Sequence, residues 1–427
     1  MRVLCGPICA LGFALSLGGQ SELPEPGAQL AQIKRTIGAN LVSLPNYTCL
    51  ETIERTQHKA ARRPFQHIDT LHLEVAVVNN RELYSWPGAN AFEDRDVGNM
   101  VGVGLISTGS FASTVSNVFV NNVSEIKWHG VEEIRDHRAL RWDYTIPYDL
   151  SRWTMRIEER GGRVSESGSF WADAETLELL RLETVANEIP ADLPVTNVKN
   201  TLDYARMRVG SRDLLLPQTA EVLLTRSNGA ESRNRIEFSQ CREFGAETRL
   251  TFDEHATVNS PASLNEFQMP AGLQFSIRMA HALDSKTAAV GDRLTAAIDR
   301  PVAYQGGILV PKGAVLKGRI RRLERQAAPR PHCLIGLEFT DIEFGGRHAR
   351  FIAEMSGIQP IAGLSLVLRT AKADTRGAGM AGGVTGPRVE IEKPVHIPGV
   401  ASFFMEGLAF RLPEGMQITW RTTDLKQ

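Results

Sequence analysis

The side chains that could do chemistry are spread along the chain and form no recognised catalytic or metal-binding motif. His67 and His72 are five residues apart, which places them on opposite faces of a strand and off a common helix face, so a shared metal ion is not expected. The neighbouring acids Glu132-Glu133 and Glu158-Glu159 also point to opposite faces of a strand and are poorly placed to cooperate. Asp253-Glu254-His255 lies in a polar stretch and is expected to face solvent. The sequence therefore predicts no catalytic group, no metal site and no cofactor, and the protein is not expected to be an enzyme.

The composition indicates a folded chain without a general affinity for polyanions. A length of 427 residues predicts two or three domains. The chain has 48 Lys and Arg against 49 Asp and Glu, and its net charge of −1 argues for neither nucleic acid nor an anionic membrane surface as a partner. A hydrophobic fraction of 42% is too high for a disordered chain.

The first residues have the order of a secretory signal peptide. Arg2 is followed by the mostly apolar run Val3–Leu17 and then by small residues that include Gly19 and Ser21. The apolar run is shorter than the ~20 residues that span a bilayer, which favours a cleaved signal at 1–21 over a retained anchor. The mature chain is therefore predicted to be periplasmic or extracellular and not an integral membrane protein.

The cysteines predict a disulfide in the first half of the mature chain. Cys5 and Cys9 lie in the predicted signal peptide. Cys333 lies on a predicted strand whose alternate residues are apolar, where a free thiol behaves as a small buried hydrophobe. That leaves Cys49 and Cys241, which an oxidising compartment would pair. Three free thiols are the alternative.

One helix and then a series of hairpins are predicted before the middle of the chain. Apolar residues at helical spacing predict a helix at Ala28–Ser43, which Pro45 ends. From Tyr47 onward, apolar residues alternate with polar ones, as they do in half-buried strands. Turns are predicted at Asn79-Asn80, Gly161-Gly162, Asp173-Ala174-Glu175-Thr176 and Asn228-Gly229. The pattern predicts a mostly antiparallel sheet with one helix available to cover a face.

This organisation resembles the LolA-like half-barrel superfamily of periplasmic lipoprotein carriers and related envelope proteins. The resemblance covers about residues 27–250 and rests on the predicted export, the helix, the hairpins and the passage Gly168-Ser169-Phe170-Trp171-Ala172-Asp173-Ala174-Glu175-Thr176. It implies a curved antiparallel half-barrel with an N-terminal helix. It also implies either a cavity for acyl chains or a role in sensing envelope lipoproteins.

A long uncharged segment lies between Asp96 and Glu125. Beside a sheet, such a segment is interpreted either as a lid over an apolar pocket or as a short helix that completes the core. The residues predicted to contact a ligand under the lid hypothesis are Met100, Leu105, Phe111, Val115 and Phe119.

A second β domain is predicted at 273–427, after a first domain at 22–252 and a linker at 253–272. The segment 283–341 resembles the small β-barrel of TrbI-like scaffold proteins of conjugative channels. This resemblance rests on Val290-Gly291-Asp292-Arg293-Leu294-Thr295-Ala296 and on Gly307-Ile308-Leu309-Val310-Pro311-Lys312-Gly313-Ala314-Val315-Leu316-Lys317-Gly318. The fold class is thus mainly β, with a half-barrel followed by a small β-barrel.

A basic cluster follows in the second domain, with Lys317, Arg319, Arg321, Arg322 and Arg325 on one predicted strand. Such residues are typical of a solvated edge strand, where they block pairing with other chains. A phosphate- or lipopolysaccharide-binding patch is the alternative.

Taken together, these features predict an envelope protein that binds a lipid, an acyl chain or a lipoprotein without catalysis. The alternative is a scaffold with a self-filled core that docks an envelope protein partner. An envelope hydrolase is the least favoured class, because no nucleophile or metal constellation is present. Nucleic acid is not expected as a partner.

Overall fold

The structure is a computed structural model, and it describes residues 25–59, 63–78, 81–89, 92, 100, 114–157, 160–243, 265–327, 330–365 and 397–424. The predicted signal peptide, most of the predicted linker and the Gly-rich stretch 377–386 lie outside these residues. The predictions that concern them stay predictions.

The N-terminal helix α1 spans Pro26–Ser43, close to its predicted bounds. Pro26 occupies the first turn, where no backbone N–H is needed, and Pro45 follows the C-cap residue Leu44. Its buried residues are Gln29, Ile33 and Ile37, which lie one turn apart and form a single stripe. A short π-helix, Ser116–Val120, packs beside α1.

The part of the chain predicted as a first domain, and called the first domain below, contains a ten-stranded antiparallel sheet. In chain order its strands are β1 Tyr47–His58, β2 Gln66–Val78, β3 Arg81–Ser85, β4 Glu125–Ile134, β5 His137–Ile146, then, after a separate hairpin of β6 Thr154–Ile157 and β7 Arg160–Arg163, β8 Ser165–Asp173, β9 Leu179–Asn187, β10 Val195–Val209, β11 Arg212–Arg226 and β12 Glu231–Glu243. The spatial order is β3-β2-β1-β12-β11-β10-β9-β8-β5-β4. With α1 packed on it, this is the architecture implied by the LolA-like resemblance, and the predicted fold class is confirmed.

Local turn chemistry explains two of the predicted hairpins. Asp173 Oδ1 accepts the backbone N–H groups of Glu175 and Thr176 at 2.9 and 2.8 Å, which closes the turn after β8. Gly229 has a φ of 77° in the turn between β11 and β12, a conformation that favours glycine.

The predicted Gly161-Gly162 turn is wrong. Both glycines lie within β7, where Gly161 pairs with Arg156 and Gly162 with Met155 of β6. The chain therefore reverses between Ile157 and Arg160, before the two glycines. A glycine pair permits a tight turn but does not require one, and the strand pairing decides here.

The part of the chain predicted as a second domain, and called the second domain below, contains another ten-stranded sheet. In chain order the strands are β13 Asn265–Glu266, β14 Gln274–Met279, β15 Leu283–Asp284, β16 Arg293–Ile298, β17 Val302–Tyr304, β18 Gly307–Val310, β19 Val315–Gln326, β20 His332–Phe344, β21 Arg347–Arg350, β22 Ile352–Ile358, β23 Leu364–Ser365, β24 Val400–Glu406, β25 Arg411–Leu412 and β26 Gln417–Thr423. The main path is β13-β21-β20-β19-β16-β14-β26-β22, with β24 on β20 and β23 on β24. β15–β25 and β17–β18 are separate pairs.

The second domain curls because β20 pairs with two strands along one side. Its first half pairs with β24 and its second half with β21. β22, at the far end of the path, lies beside β24. β13 already pairs with β21, so residues 265–272 of the predicted linker are part of this unit. The TrbI-like resemblance of 283–341 stays a prediction.

The two sheets meet along β2. The His72 N–H donates to the Val290 carbonyl at 2.8 Å, and the Val290 N–H donates to the Thr70 carbonyl at 2.9 Å. Gly291 has a φ of 100°, and a Cβ at this position would lie 2.2 Å from the His72 carbonyl oxygen. A side chain at position 291 would therefore separate the sheets. Buried apolar residues of both domains form one continuous core.

The prediction of a solvated basic edge strand is wrong. β19 lies inside its sheet, between β16 and β20. Arg321 pairs with Glu338 at 2.9 Å, and Arg322 pairs with Glu324 at 2.8 Å. The cluster follows from packing between the domains, since Arg319 and Arg321 lie over the ring of Trp86 at 5.7 and 5.2 Å.

Candidate ligand cleft

A cleft opens between the C-terminal half of α1 and the first sheet. Its walls come from α1, from the Val115 region and from strands that run from β3, at one edge of the sheet, to β9, six strands away. Strands so far apart can share one cleft only because the sheet curls around the helix. The lining residues are Ile37, Asn40, Leu41, Leu44, Tyr47, Val77, Glu82, Val115, Leu179, Tyr204, Leu215, Leu216 and Pro217.

The cleft is narrow and mostly apolar. The empty space between its walls, including the open mouth, has a volume of about 610 Å³. The centre of a water-sized group can reach only about 70 Å³ of this space. Most of the lining side chains are aliphatic. A cleft with this lining suits an apolar ligand.

A break in the strand ladder lies on the cleft wall. Pro217 has no N–H to donate, and the register between β10 and β11 shifts at Asp203/Tyr204, directly opposite it. Tyr204, which follows the shift, lines the cleft. Sequence reasoning missed this position, although a proline after the apolar run Leu214-Leu215-Leu216 is a signal for a bulge.

Three polar side chains, Tyr47, Glu82 and Tyr204, stand on the otherwise apolar walls. The Tyr204 hydroxyl is buried and has no hydrogen-bond partner. Glu82 accepts a hydrogen bond from the Tyr84 hydroxyl at 2.9 Å. Burial raises the pKa of Tyr47 and of Tyr204, and the nearby Glu82 charge raises both further. Both phenols are therefore neutral hydrogen-bonding groups at physiological pH.

A buried acid lies on β1, four residues after the cleft residue Tyr47. Glu51 faces the core from β1, is 0% exposed, and neither of its carboxyl oxygens has a hydrogen-bond partner. Burial raises its pKa well above the usual range for glutamate, and the Glu82 charge adds to the rise. Sequence reasoning missed Glu51, because an acidic residue at a core-facing strand position resembles a surface residue in the alternation pattern.

The residues of the predicted lid differ in where the structure places them. Met100 is partly buried against the core, and Val115 lines the cleft. Phe119 is 2% exposed and packs edge-on against Phe170 at 4.8 Å. Leu105 and Phe111 lie outside the described residues. Phe119 thus occupies a core position, while the lid hypothesis for the whole segment stays a prediction.

Aromatic side chains fill the sheet beyond the cleft. Trp142 stacks on Phe170 with ring centroids 5.3 Å apart, and both are fully buried. Trp128 packs edge-on against Trp142 but remains partly exposed. The Trp171 indole N–H donates to Glu132 at 2.8 Å. The concave side is therefore open near α1 and filled around Phe170.

A disulfide joins Cys49 of β1 to Cys241 of β12, which is the pairing expected from the sequence. It lies two residues from Tyr47 and so anchors the strand that carries one wall of the cleft. Cys333 is free and buried, also as expected.

The histidines considered for metal binding have separate partners at the domain interface. His72 Nδ1 lies 2.7 Å from Asp292, and His67 Nδ1 lies 3.1 Å from Arg325. Within the described ranges, no group of three His, Cys, Asp or Glu side chains is placed to hold a metal ion. In the same ranges, no helix has the length and apolar character needed to cross a membrane. The absence of catalysis stays a prediction.

Several solved structures are similar to about half of this chain. A LolA-superfamily protein from Nitrosomonas europaea covers 51% of this chain and 94% of its own, with 8% identity and a TM-score of 0.28. A domain described as an outer membrane lipoprotein-sorting protein from Vibrio parahaemolyticus covers 52% and 93%, with 10% identity and a TM-score of 0.29. Lipoprotein LppX from Mycobacterium tuberculosis covers 53% and 100%, with 10% identity and a TM-score of 0.19.

No protein-family model and no curated protein sequence matches this chain. Structural similarities of this size do not by themselves assign a ligand, so the functional conclusion depends on the cleft.

Proposed function

We propose that this chain is an exported envelope protein that binds the hydrocarbon chain of a lipid or lipoprotein in the cleft between α1 and the first sheet, without catalysis. The observation that carries the proposal is the cleft itself, whose walls are mostly aliphatic side chains from α1 and from strands spread across the first sheet between β3 and β9. The predicted signal peptide and the disulfide support a location in the cell envelope.

The energetics favour an apolar ligand. Burial of apolar surface contributes about 25 cal/mol of favourable free energy per Å². Each buried methylene therefore contributes about 0.8 kcal/mol. Micromolar affinity corresponds to about 8 kcal/mol, which is the contribution of about ten buried methylenes before the cost of association is subtracted. Micromolar affinity allows a carrier to release its ligand again.

Native mass spectrometry of the full exported chain, purified from the periplasm, tests the proposal. A carrier should show lipid adducts, or acquire them when titrated with a fatty acid. Spectra that remain ligand-free throughout the titration would contradict it.

A variant that fills the cleft tests whether the lipid binds there. Leu41 lines the cleft on α1, whereas the next residue, Val42, is 88% exposed. Leu41→Trp should fill the slot and reduce lipid uptake at least tenfold, because roughly 1.4 kcal/mol of lost contact is sufficient. Val42→Trp, the matched control, should bind as the wild type does. Equal uptake by both variants would place the lipid elsewhere.

The second candidate is a scaffold whose core is filled by its own side chains. The packing of Phe119 and Trp142 against Phe170 favours it, because these three side chains fill the sheet's inner face around Phe170. The second domain, fixed against β2, would then dock an envelope protein partner. If the wild type takes up no lipid, the scaffold function is favoured over lipid binding.

A further inference from the structure

A hairpin with an uncharged tip extends from the second domain. Among the described strands, β17 and β18 pair only with each other and form a separate two-stranded sheet. Val302 and Val310, which pair at the base of the hairpin, are buried in the core. The residues beyond them, 303–308, are all exposed. The hairpin is therefore firmly anchored at its base, and its outer part faces solvent.

The tip of this hairpin is apolar although it is exposed. Charged residues make up 23% of the chain, yet none occurs in the segment 302–311. The largest exposed side chains of the tip are those of Ile308, 68% exposed, and Tyr304, 39% exposed. Gln305 and Gly306 form the tight turn between the strands, with φ values of 49° and 81°. The hairpin therefore ends in an uncharged tip that presents an isoleucine and a tyrosine.

Cations surround the base of the same hairpin. Arg300 precedes β17 and Lys312 follows β18, and both are exposed. Arg278 and Arg300 lie 2.6 and 4.0 Å from the Asp299 carboxylate. The hydrogen bond from Arg278 holds the Asp299 pKa below its usual range, and the charges of Arg300 and Lys312 lower it further. Three cations thus lie around one carboxylate, a local feature that the net charge of −1 for the whole chain conceals.

The dimensions of the hairpin fit the surface of a bilayer. Strand residues rise about 3.3 Å each, so the turn lies about 10 Å beyond the buried Val302. Elements that bind at a membrane interface bury their apolar side about 5–10 Å deep, at the boundary between head groups and acyl chains. Tyrosine is enriched at that boundary, and the long side chains of Lys and Arg reach the lipid phosphates. The apolar tip and the cationic base therefore match the two layers of an anionic leaflet.

We propose that the β17–β18 hairpin docks the protein on an anionic lipid surface, with its tip in the interfacial layer and Arg300 and Lys312 at the lipid phosphates. Docking is peripheral and reversible, because only two large apolar side chains enter the membrane. The inference goes beyond the proposed function, since it concerns a different surface and holds whether or not the cleft binds lipid.

Co-sedimentation of the full disulfide-bonded chain with vesicles tests the proposal. Vesicles of phosphatidylcholine mixed with an equal part of phosphatidylglycerol should bind the protein. Vesicles of phosphatidylcholine alone should bind it at least tenfold less well, since each cation near an anionic surface strengthens binding about fivefold. About 1 M NaCl, which shortens the Debye length to about 3 Å, should release most of the protein.

Two variants assign the binding to the two parts of the hairpin. Ile308→Asp should weaken binding to the anionic vesicles at least tenfold, because it replaces an apolar group with a charge that the lipid phosphates repel. Arg300→Gln combined with Lys312→Gln should weaken binding about 25-fold, or about fivefold for each lost cation. All three positions are exposed, so the melting temperatures should not change.

The control for the apolar tip lies at the other end of β20. The hairpin leads into β19 at Val315, which pairs with Glu343 near the end of β20. The Gly407 N–H, in contrast, donates to the Pro331 carbonyl just before β20 begins. Leu408 follows Gly407 and is 42% exposed. Leu408→Asp therefore makes the same kind of change far from the hairpin and should leave vesicle binding unaltered.

The control for the cations lies at that same end. Arg411 of β25 follows Leu408 by three residues, and Lys286 lies two residues beyond β15, the partner strand of β25. Both side chains are exposed. Lys286→Gln combined with Arg411→Gln matches the hairpin double variant in charge and should bind the anionic vesicles as the wild type does.

The outcomes decide this inference separately from the proposed function. Loss of binding in both hairpin variants and in neither control supports it. Equal binding of the two kinds of vesicle, or an equal loss in a hairpin variant and its control, would overturn it. If the wild type binds neither kind of vesicle, the inference is wrong and a protein partner becomes the expected occupant of the tip. Ile308→Asp should still take up fatty acid in native mass spectrometry, so neither test decides the other.

Discussion

The Glu51 carboxyl group lies in the core of the first domain without a hydrogen-bond partner. Burial first, and then the Glu82 charge, raise its pKa in the folded state. A raised folded-state pKa means that the folded chain binds this proton more tightly than the unfolded chain does. The contribution to stability is therefore present below the unfolded pKa of glutamate and is lost as the pH rises toward the folded pKa.

Replacement of Glu51 by glutamine should stabilise the protein at alkaline pH. The amide cannot ionise, so Glu51→Gln should gain free energy of unfolding over the wild type as the pH rises, at a rate of at most about 1.4 kcal/mol per pH unit. Urea unfolding at about pH 5 and about pH 8 measures the difference. Glu237→Gln, on the exposed Glu237 of neighbouring β12, should show no such dependence. A gain that is the same at both pH values would contradict a buried ionisable Glu51.

At the scale of elements, the π-helix Ser116–Val120 links α1 to the filled part of the sheet. Phe119 contacts Phe170 and is nearly fully buried, whereas Val120 is 45% exposed. The two residues are adjacent, so they compare the inward and outward faces of one short helix.

Phe119→Asp should destabilise the domain by more than about 3 kcal/mol, because it removes a core aromatic and buries an unpaired charge. Val120→Asp should cost less than about 0.5 kcal/mol. Thermal melts followed by near-ultraviolet circular dichroism compare them. A near-native melting temperature for Phe119→Asp would mean that the segment opens freely, as the lid hypothesis requires.

The elements that the sequence predicted are those set by local chemistry. The stripe on α1, the Asp173 turn and the Asn228-Gly229 turn each depend on residues a few positions apart. The cleft depends on residues such as Tyr47, Tyr204 and Leu215, which meet only after β1, β12, β11 and β10 have paired. Such pairing is set by side-chain packing across the sheet, which no short window of sequence contains.

The role of β19 shows the same limit. Its basic residues fit an edge strand by composition, and only the neighbours β16 and β20 place it inside a sheet. The Cys49–Cys241 pair was predictable because the chain has few cysteines. Once the others had been set aside, these two remained, and no knowledge of their distance was needed.

At the scale of the whole molecule, the two sheets share a core and a close backbone contact at Gly291. The wild type is therefore expected to unfold in one cooperative transition. Gly291→Ala would bring a Cβ within 2.2 Å of the His72 carbonyl oxygen, so the sheets must move apart. Differential scanning calorimetry should then resolve two transitions.

Gly313→Ala is the matched control for this change. Gly313 also has a positive φ, of 84°, but no atom lies within 4 Å of the position of its Cβ. The substitution should cost about 1 kcal/mol of backbone strain and leave one transition. Two transitions in both variants, or in neither, would contradict the interface described for Gly291.

The position of β1 between β2 and β12 has a consequence for the order of assembly during synthesis. β2 follows β1 directly, so these strands can form a hairpin while most of the chain is still being made. β12 becomes available much later, because Cys241 lies 192 residues after Cys49. Until then, one long edge of β1 is unpaired and the Cys49 thiol cannot form its disulfide. The nascent chain thus passes through a period in which it exposes both an unpaired strand edge and a reactive thiol. During that period, these groups can be protected only by factors that bind nascent chains.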